Sequence, residues 1–149
     1  MEGIDRELER RVWKRVREGT PEAELGWQQL ARQELADAIE LERLAGKFRG
    51  KVRGELLKVA GRERQHGRLL ARRLGMSLPG ERRDYTAAGS IMESLEAVAD
   101  RLWKRAGLYG DRAVCAPEDS LLRQLAWEER RGYEALRVLL GQIKTEKIR

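Results

Sequence analysis

The sequence of 149 residues is poor in several residue types, and each shortage excludes a class of protein. Its single cysteine excludes an internal disulfide and a four-thiolate metal centre. Aromatic residues make up only 5% of the chain, and there is little continuous Val-, Ile- and Thr-rich sequence of the kind that fills β-strands. No apolar run approaches the roughly 20 residues of a membrane span, and the N-terminus lacks the apolar core of a signal peptide. We therefore expect a cytoplasmic protein with no membrane partner.

Apolar residues recur at intervals of three and four along most of the chain, which is the spacing of one face of an α-helix. Together with 38% charged residues, this spacing predicts an all-α protein, and the length fits one domain with a real core. We expect a short amphipathic N-terminal helix within 1–19, a four-helix bundle within 20–144 and a polar tail at 145–149 that frays.

The helix boundaries follow from capping residues, prolines and glycines. Thr20-Pro21 is a typical helix start, Gly75 a typical stop, and Pro117 with the acids after it a second start. We interpret Gly107 and Gly110 as marking the end of the third helix. These signals predict helices over about 20–50, 51–74, 86–107 and 117–144, with loops at 75–85 and 108–116.

Each of the four helices places an acidic residue on its apolar face. In the first helix Glu34 is the only polar member of the stripe, and in the second Glu63 shares the stripe with His66, the only histidine of the chain. In the third helix the predicted stripe is Met92, Glu96, Ala99, Trp103 and Ala106. In the fourth it is Leu122, Leu125, Glu129, Gly132, Leu136, Leu139 and Ile143.

The two halves of the chain repeat this plan. Val59-Ala60-x-x-Glu63-x-x-His66 aligns with Leu125-Ala126-x-x-Glu129-x-x-Gly132, and Glu34 aligns with Glu96. In an antiparallel helix pair, two residues lie level when the turn falls midway between them. The midpoint of Glu34 and Glu63 lies between Gly46 and Gly50, and that of Glu96 and Glu129 lies in the predicted loop. The sequence therefore predicts that four carboxylates and one imidazole converge in the bundle.

Four ionised carboxylates in a dry core are untenable without compensation, because each buried charge costs several kcal/mol and like charges drive one another towards protonation. Two divalent cations would balance the four charges. Oxygen-rich ligation with one imidazole suits iron, or else manganese, better than structural zinc.

This arrangement resembles the ferritin-like superfamily, specifically its rubrerythrin-type branch. One glutamate from each of two helices, with Glu-x-x-His from the other two, is the di-iron carboxylate signature. The stretch from Glu34 to Ala45 also resembles the first helix of that family, and the resemblance covers roughly residues 27–140. It implies a ferritin-like four-helix bundle in which the second and third helices run parallel and are joined by a crossover.

The resemblance also implies roles for the candidate metal ligands. Glu63 and Glu129 would bridge two metal ions, Glu34 and His66 would hold one ion, and Glu96 would hold the other. The sequence departs from the family pattern at two positions. Gly132 stands where a second histidine is expected, which should weaken the second site, and Leu41 replaces the usual tyrosine. No CxxC pair is present, so we expect this sequence to lack the rubredoxin domain of full-length rubrerythrins.

Other interpretations of these residues remain open on sequence alone. Glu42 is the rival to Glu34 as the first-helix ligand, if the turn falls near residue 52, between Gly50 and Gly54. His66 is alternatively a core histidine held by hydrogen bonds, and Glu96 and Glu129 are alternatively exposed positions. We expect the neighbouring acids Glu40, Glu93 and Glu128 to be solvated.

Two functions fit these features. The first is a di-metal oxidoreductase that reacts with peroxide or dioxygen, as a peroxidase or ferroxidase, with electrons from an external donor. The second is a metal-depleted bundle that binds an acidic partner or nucleic acid through residues 47–83, which hold twelve Lys and Arg but three acids in a chain of net charge +6. Bundles of this kind often pair, so a homodimer is expected.

Overall fold

A computed structural model of the chain describes residues 21–78 and 90–148. The described part folds into four helices and contains no strand: α1 (Pro21–Ala45), α2 (Gly50–Leu74), α3 (Ile91–Cys115) and α4 (Ser120–Ile148). The prediction of an all-α four-helix protein is confirmed. The predicted N-terminal helix and most of the predicted loop after α2 lie outside the described residues. Among the helices described, none has the length and apolarity needed to cross a membrane.

The bundle consists of two helical hairpins, α1–α2 and α3–α4, each closed by a short turn. The hairpins meet where α2 packs on α4 and α1 packs on α3. Leu74, at the end of α2, lies in the same apolar cluster as Leu121 at the start of α4. Ile91, at the start of α3, packs on the cluster at the opposite end, beside Leu41. The helices α2 and α3 therefore run in the same direction.

Local sequence explains where α2 ends and where α3 and α4 begin. Gly75 adopts the left-handed conformation (φ 65°), in which the Met76 N–H donates to the carbonyl of Ala71 at 2.9 Å. Ser90 caps α3, because its hydroxyl accepts from the Glu93 N–H at 3.1 Å. Asp119 plays the same part for α4 by accepting from the Leu121 N–H at 2.8 Å.

The third helix is longer than the sequence predicted. It continues through Gly107 and Gly110 to Cys115, so the prediction of a loop at 108–116 is wrong. A glycine inside a helix costs only about 1 kcal/mol relative to alanine. Burial of Tyr109 and Ala113 in this segment favours the helix by more than that. The turn between α3 and α4 consequently lies about five residues further along the chain than predicted.

The buried face of α3 also differs from the predicted stripe. Trp103, assigned to the core from its spacing, is 50% exposed and packs its ring against Tyr133 at 5.0 Å. Glu96 is exposed as well. The residues that α3 buries are Leu95, Val98, Ala99, Leu102, Arg105, Tyr109 and Ala113. The stripes predicted for the other three helices are buried or half-buried throughout.

Two apolar clusters fill the bundle, one towards each end. One contains Leu41, Leu56, Leu95 and Leu136 with their neighbours. The other is built around Trp27 and Tyr109, whose rings stack at 6.1 Å. Most of the buried ionisable side chains lie between these clusters, in a layer that apolar packing borders on both sides: Glu34, Asp37, Glu63, His66, Arg105 and Glu129.

Candidate metal centre

Four of the five predicted ligands come together in this layer. Glu34 projects from α1, Glu63 and His66 from α2, and Glu129 from α4, and each is at most 1% exposed. Each offers one ligand atom, and these four atoms all lie within 4.8 Å of one another. The buried group could therefore hold a metal ion. The helical spacing of three residues between Glu63 and His66 places both on the inner face of α2.

The three carboxylates each turn one oxygen towards Nδ1 of His66. Glu129 Oε1 lies 2.8 Å from this nitrogen, Glu34 Oε2 lies 3.5 Å away and Glu63 Oε1 lies 3.9 Å away. The other ring nitrogen, Nε2, lies 2.9 Å from Oε1 of Glu128, whose side chain is 19% exposed. His66 thus links the buried carboxylates to a carboxylate at the protein surface.

The same three carboxylates turn their other oxygens towards Arg105, which is 2% exposed. Its Nη2 donates to Glu63 Oε2 at 2.9 Å, and its Nε lies 3.3 Å from both Glu34 Oε1 and Glu129 Oε2. The carboxylates therefore form a layer with an imidazole on one side and a guanidinium on the other.

Further side chains fix this guanidinium and its carboxylates in place. Arg105 Nη1 lies 2.8 Å from Asp37 Oδ2, and the opposite oxygen of Asp37 accepts from Nε of Arg101 at 2.8 Å. The hydroxyl of Tyr109 donates to Glu34 Oε1 at 2.7 Å. Because α3 supplies Arg101, Arg105 and Tyr109 at helical spacing, this one helix positions the polar layer from the second hairpin.

One oxygen of the cluster lacks a hydrogen-bond donor. Glu34 Oε2 is fully buried and accepts no hydrogen bond from the described residues. A buried carboxylate oxygen without a donor costs free energy unless a cation or a proton satisfies it. This oxygen is also one of those that face His66, so it points to where a cation would lie.

The electrostatics of the site reflect its excess of carboxylates. Burial alone would raise the pKa of Glu34, but the positive charges of Arg105 and His66 hold that pKa well below its usual range. Burial and the charges of Glu34 and Glu129 raise the pKa of Glu63, and burial with the charge of Glu34 raises the pKa of Glu129. Without a metal ion, protons take up the excess negative charge.

The pKa of His66 moves in the opposite sense from that of an ordinary buried histidine. Burial disfavours the imidazolium, but the surrounding carboxylates, Glu34 above all, outweigh it and raise the pKa of His66 to about 9. In the metal-free protein near neutral pH, His66 is therefore protonated at both ring nitrogens. Its Nδ1 proton occupies the position from which this nitrogen would bind a metal.

Close packing of α1 on α2 brings Glu34 to the site. A Cβ at Gly67 would lie 3.1 Å from the carbonyl oxygen of Ala31 and 3.3 Å from the backbone nitrogen of Leu35. The absent side chain lets the two backbones approach at the residue directly after His66. A larger residue at this position would push α1 away and move the Glu34 carboxylate out of the cluster.

Glu96, the fifth predicted ligand, lies outside the cluster. It is exposed on α3 and pairs with Lys144 at 3.1 Å. The expected convergence of four glutamates is wrong for this residue, because α3 buries the face that carries Leu95, Leu102 and Arg105, and its turn lies further along the chain than predicted. The level of Glu129 is then occupied by Arg105, nine residues or roughly 13 Å further along α3. A cation lies where the fourth carboxylate was expected.

The remaining alternatives and departures also have an outcome in the structure. Glu42 is exposed and pairs with Arg64, so Glu34 is the first-helix glutamate that enters the layer. A Cβ at Gly132 would lie 2.8 Å from Cδ2 of Leu102, which fills the space of the expected second histidine. Leu41 is fully buried in one apolar cluster. Among the described residues, the group that could hold a metal ion is therefore Glu34, Glu63, His66 and Glu129.

Several members of the site were missed from the sequence. Glu40 and Glu128 were expected to be solvated, but Glu40 is 2% exposed and pairs with Arg43, and Glu128 contacts His66. Tyr109 was missed because Gly107 was interpreted as a helix end, and Arg105 was missed because the apolar stripe of α3 was assigned to the face of Glu96 and Trp103. The signal that would have found them is the spacing of three and four residues from Leu102 through Arg105 and Tyr109 to Ala113.

Comparisons with known proteins give no assignment. The scan against protein-family models found no match, and neither did the searches of curated proteins and of solved structures.

Proposed function

We propose that this chain is a ferritin-like metal-dependent oxidoreductase that binds iron or manganese through Glu34, Glu63, His66 and Glu129. The observation that carries the proposal is the set of four buried ligand atoms within 4.8 Å, one of which is a carboxylate oxygen with no hydrogen-bond donor. Three carboxylates and one imidazole form a donor set that favours iron and manganese over softer metals. The parallel course of α2 and α3 also supports the ferritin-like assignment.

The side chains around the ligands prepare the site for such an ion. Arg105 and Tyr109 hold the outer oxygens of the carboxylates, which leaves the inner oxygens directed at one point. For a metal to bind, the proton at Nδ1 of His66 has to leave. The contact between Nε2 of His66 and Glu128, whose side chain is partly exposed, provides a route for protons to solvent.

The substrate we propose is peroxide or dioxygen, reduced with electrons from an external donor. A bound iron or manganese ion would supply the redox chemistry. Because the ligands are at most 1% exposed, the site favours small oxidants over large organic substrates. Apolar clusters on both sides exclude bulk water from the layer.

Metal analysis of protein purified from cells supplied with iron or manganese tests this proposal. We expect metal to copurify and to be lost in Glu63→Gln, which keeps the volume but removes the charge. Glu96→Gln is the matched control, because it removes an exposed carboxylate on α3 and should retain the metal. Peroxide consumption with an added reductant should follow the metal content. Metal-free protein under both conditions would contradict the proposal.

A second candidate function rests on the outer face of α2. This face exposes the cationic side chains of Lys51, Lys58, Arg62, Arg68 and Arg72. We infer that, if the bundle binds no metal, this surface would bind an acidic partner or nucleic acid. A labelled oligonucleotide should then bind with log affinity that falls linearly with log salt concentration, and Arg68→Gln with Arg72→Gln should reduce the slope. No binding at low salt would eliminate the nucleic-acid role.

A further inference from the structure

The carboxylate layer faces a different basic side chain on each of its two sides, His66 on one and Arg105 on the other. On one side, Nδ1 of His66 and the inner oxygens of three glutamates converge, and this side includes Glu34 Oε2, which lacks a donor. On the other side, the outer oxygens of the same glutamates surround the guanidinium of Arg105 at 2.9 to 3.3 Å. In a carboxylate-bridged pair of ions, each bridging carboxylate would give one oxygen to each ion. Here the second set of oxygens is already occupied.

The charges of the layer balance for one divalent ion. Glu34, Glu63 and Glu129 carry three negative charges when ionised, and Arg105 carries one positive charge. One divalent cation, bound with neutral His66, makes the sum zero. Asp37 does not alter this balance, because Arg101 pairs with it. A second divalent ion would leave two uncompensated positive charges in a layer that is at most 2% exposed, at a cost of several kcal/mol.

Arg105 is also held too firmly to leave the space to an ion. Besides the three glutamates, it contacts Asp37 at 2.8 Å, and Asp37 is itself anchored by Arg101. Arg105 lies level with Glu129, at the position along α3 where the fourth glutamate of a di-metal site was expected. Displacing it would leave a buried guanidinium without partners.

We propose that Arg105 serves as the second cation of the carboxylate layer, so that the site takes a single divalent metal ion. This inference rests on the proposed metal site and specifies its stoichiometry and its charge preference. Arg105 is a positioning residue, since it acts through the carboxylates and does not contact the ion. It also sets the charge of the ion that the site prefers.

The first test titrates the chelator-treated full chain with Mn(II) and counts the ions by equilibrium dialysis. Only ions that are lost in Glu63→Gln are assigned to the layer. We expect one ion per chain, with the electron paramagnetic resonance spectrum of isolated Mn(II). Two ions per chain with a spin-coupled spectrum would overturn the inference and leave the proposed function standing. No ion lost in Glu63→Gln would overturn both.

The second test compares Arg105→Gln with Arg105→Lys. Without the fixed positive charge, three carboxylates are balanced by a trivalent ion, so the preference for Tb(III) over Mn(II) should rise by about tenfold or more in Arg105→Gln. Arg105→Lys keeps the charge and should keep the wild-type preference within about threefold. An unchanged ratio in Arg105→Gln would overturn the charge argument. If an Arg105 variant fails to fold, the number of ions per chain measured in the first test still decides the stoichiometry.

Discussion

The two hairpins of this bundle share a plan but contribute opposite chemistry to the layer between them. The α1–α2 hairpin supplies two carboxylates and the imidazole, through Glu34, Glu63 and His66. The α3–α4 hairpin supplies one carboxylate, Glu129, together with the guanidinium of Arg105. The sequence repeat around Glu63 and Glu129 suggests symmetry, whereas the structure pairs a ligand-rich half with a cation-bearing half. The total charge of a buried layer therefore has to be balanced, but the two hairpins need not supply equal charges.

The largest expected effect comes from removing the cation of the second hairpin. In chelator, Arg105→Leu should lower the free energy of unfolding by about 3–5 kcal/mol, because it leaves buried carboxylates without a partner. Urea denaturation followed by circular dichroism measures this. Lys104→Leu, a substitution of an exposed side chain on the same helix, should change stability by less than about 0.5 kcal/mol. Equal effects of the two variants would contradict the role of Arg105 in balancing the layer.

The imidazole of the first hairpin predicts a pH dependence of the metal-free protein. The pKa of His66 is about 9 in the fold, above its ordinary 6.5, so its stabilising contribution is complete below pH 6.5 and is lost as pH rises towards 9. The loss should reach about 3.5 kcal/mol at most, since one pKa unit corresponds to about 1.4 kcal/mol.

Urea denaturation at a series of pH values in chelator checks this dependence. The raised pKa values of Glu63 and Glu129 act in the same direction, because their protonated forms stabilise the fold at low pH. His66→Gln should flatten the profile between pH 6.5 and 9. With Mn(II) present, the wild-type decline should shrink, since metal binding replaces the proton at Nδ1. A steep profile in His66→Gln would assign the effect to other groups.

A smaller effect is expected where the second hairpin supports a ligand of the first. Tyr109→Phe removes the donor to Glu34 Oε1 and should cost about 2 kcal/mol, the usual size for a buried hydrogen bond to a charged group. Tyr133→Phe is the matched control, because that half-buried ring packs at a tilt against Trp103 outside the layer. Thermal or urea unfolding distinguishes the two. A loss in Tyr133→Phe as large as that in Tyr109→Phe would point to general packing.

The smallest effect is expected at Gly132, the residue that aligns with His66 in the sequence repeat. Gly132→Ala should cost about 1 kcal/mol, because overpacking against buried Leu102 exceeds the gain in helix propensity. Gly61→Ala, at an exposed α2 position where an added Cβ meets nothing within 4 Å, should instead stabilise the protein by up to about 1 kcal/mol. Calorimetry or urea unfolding measures both. Stabilisation by Gly132→Ala would show that Leu102 yields easily.

Much of the fold was predictable because apolar spacing is a local property. The stripes through Glu34, Glu63 and Glu129 were predicted correctly, as were the end of α2 at Gly75 and the helix start after Pro117. The error lay in α3, where glycines suggested a helix end. The tertiary burial of Tyr109 and Ala113 offsets that local preference. The turn then lies a few residues further on and α3 buries the face that carries Arg105, so Arg105 enters the layer and Glu96 remains exposed.

The sequence by itself determined that Glu34, Glu63, Glu129 and the lone histidine would face the interior of a helical bundle, because helical periodicity assigns a face to each residue. Only the tertiary structure decided which charges meet there. Contacts between helices depend on where each turn falls, and the arrangement of Glu34, Glu63, His66 and Glu129 opposite Arg105 is a result of that alignment. Periodicity sets the direction of a side chain, whereas packing sets its level in the bundle.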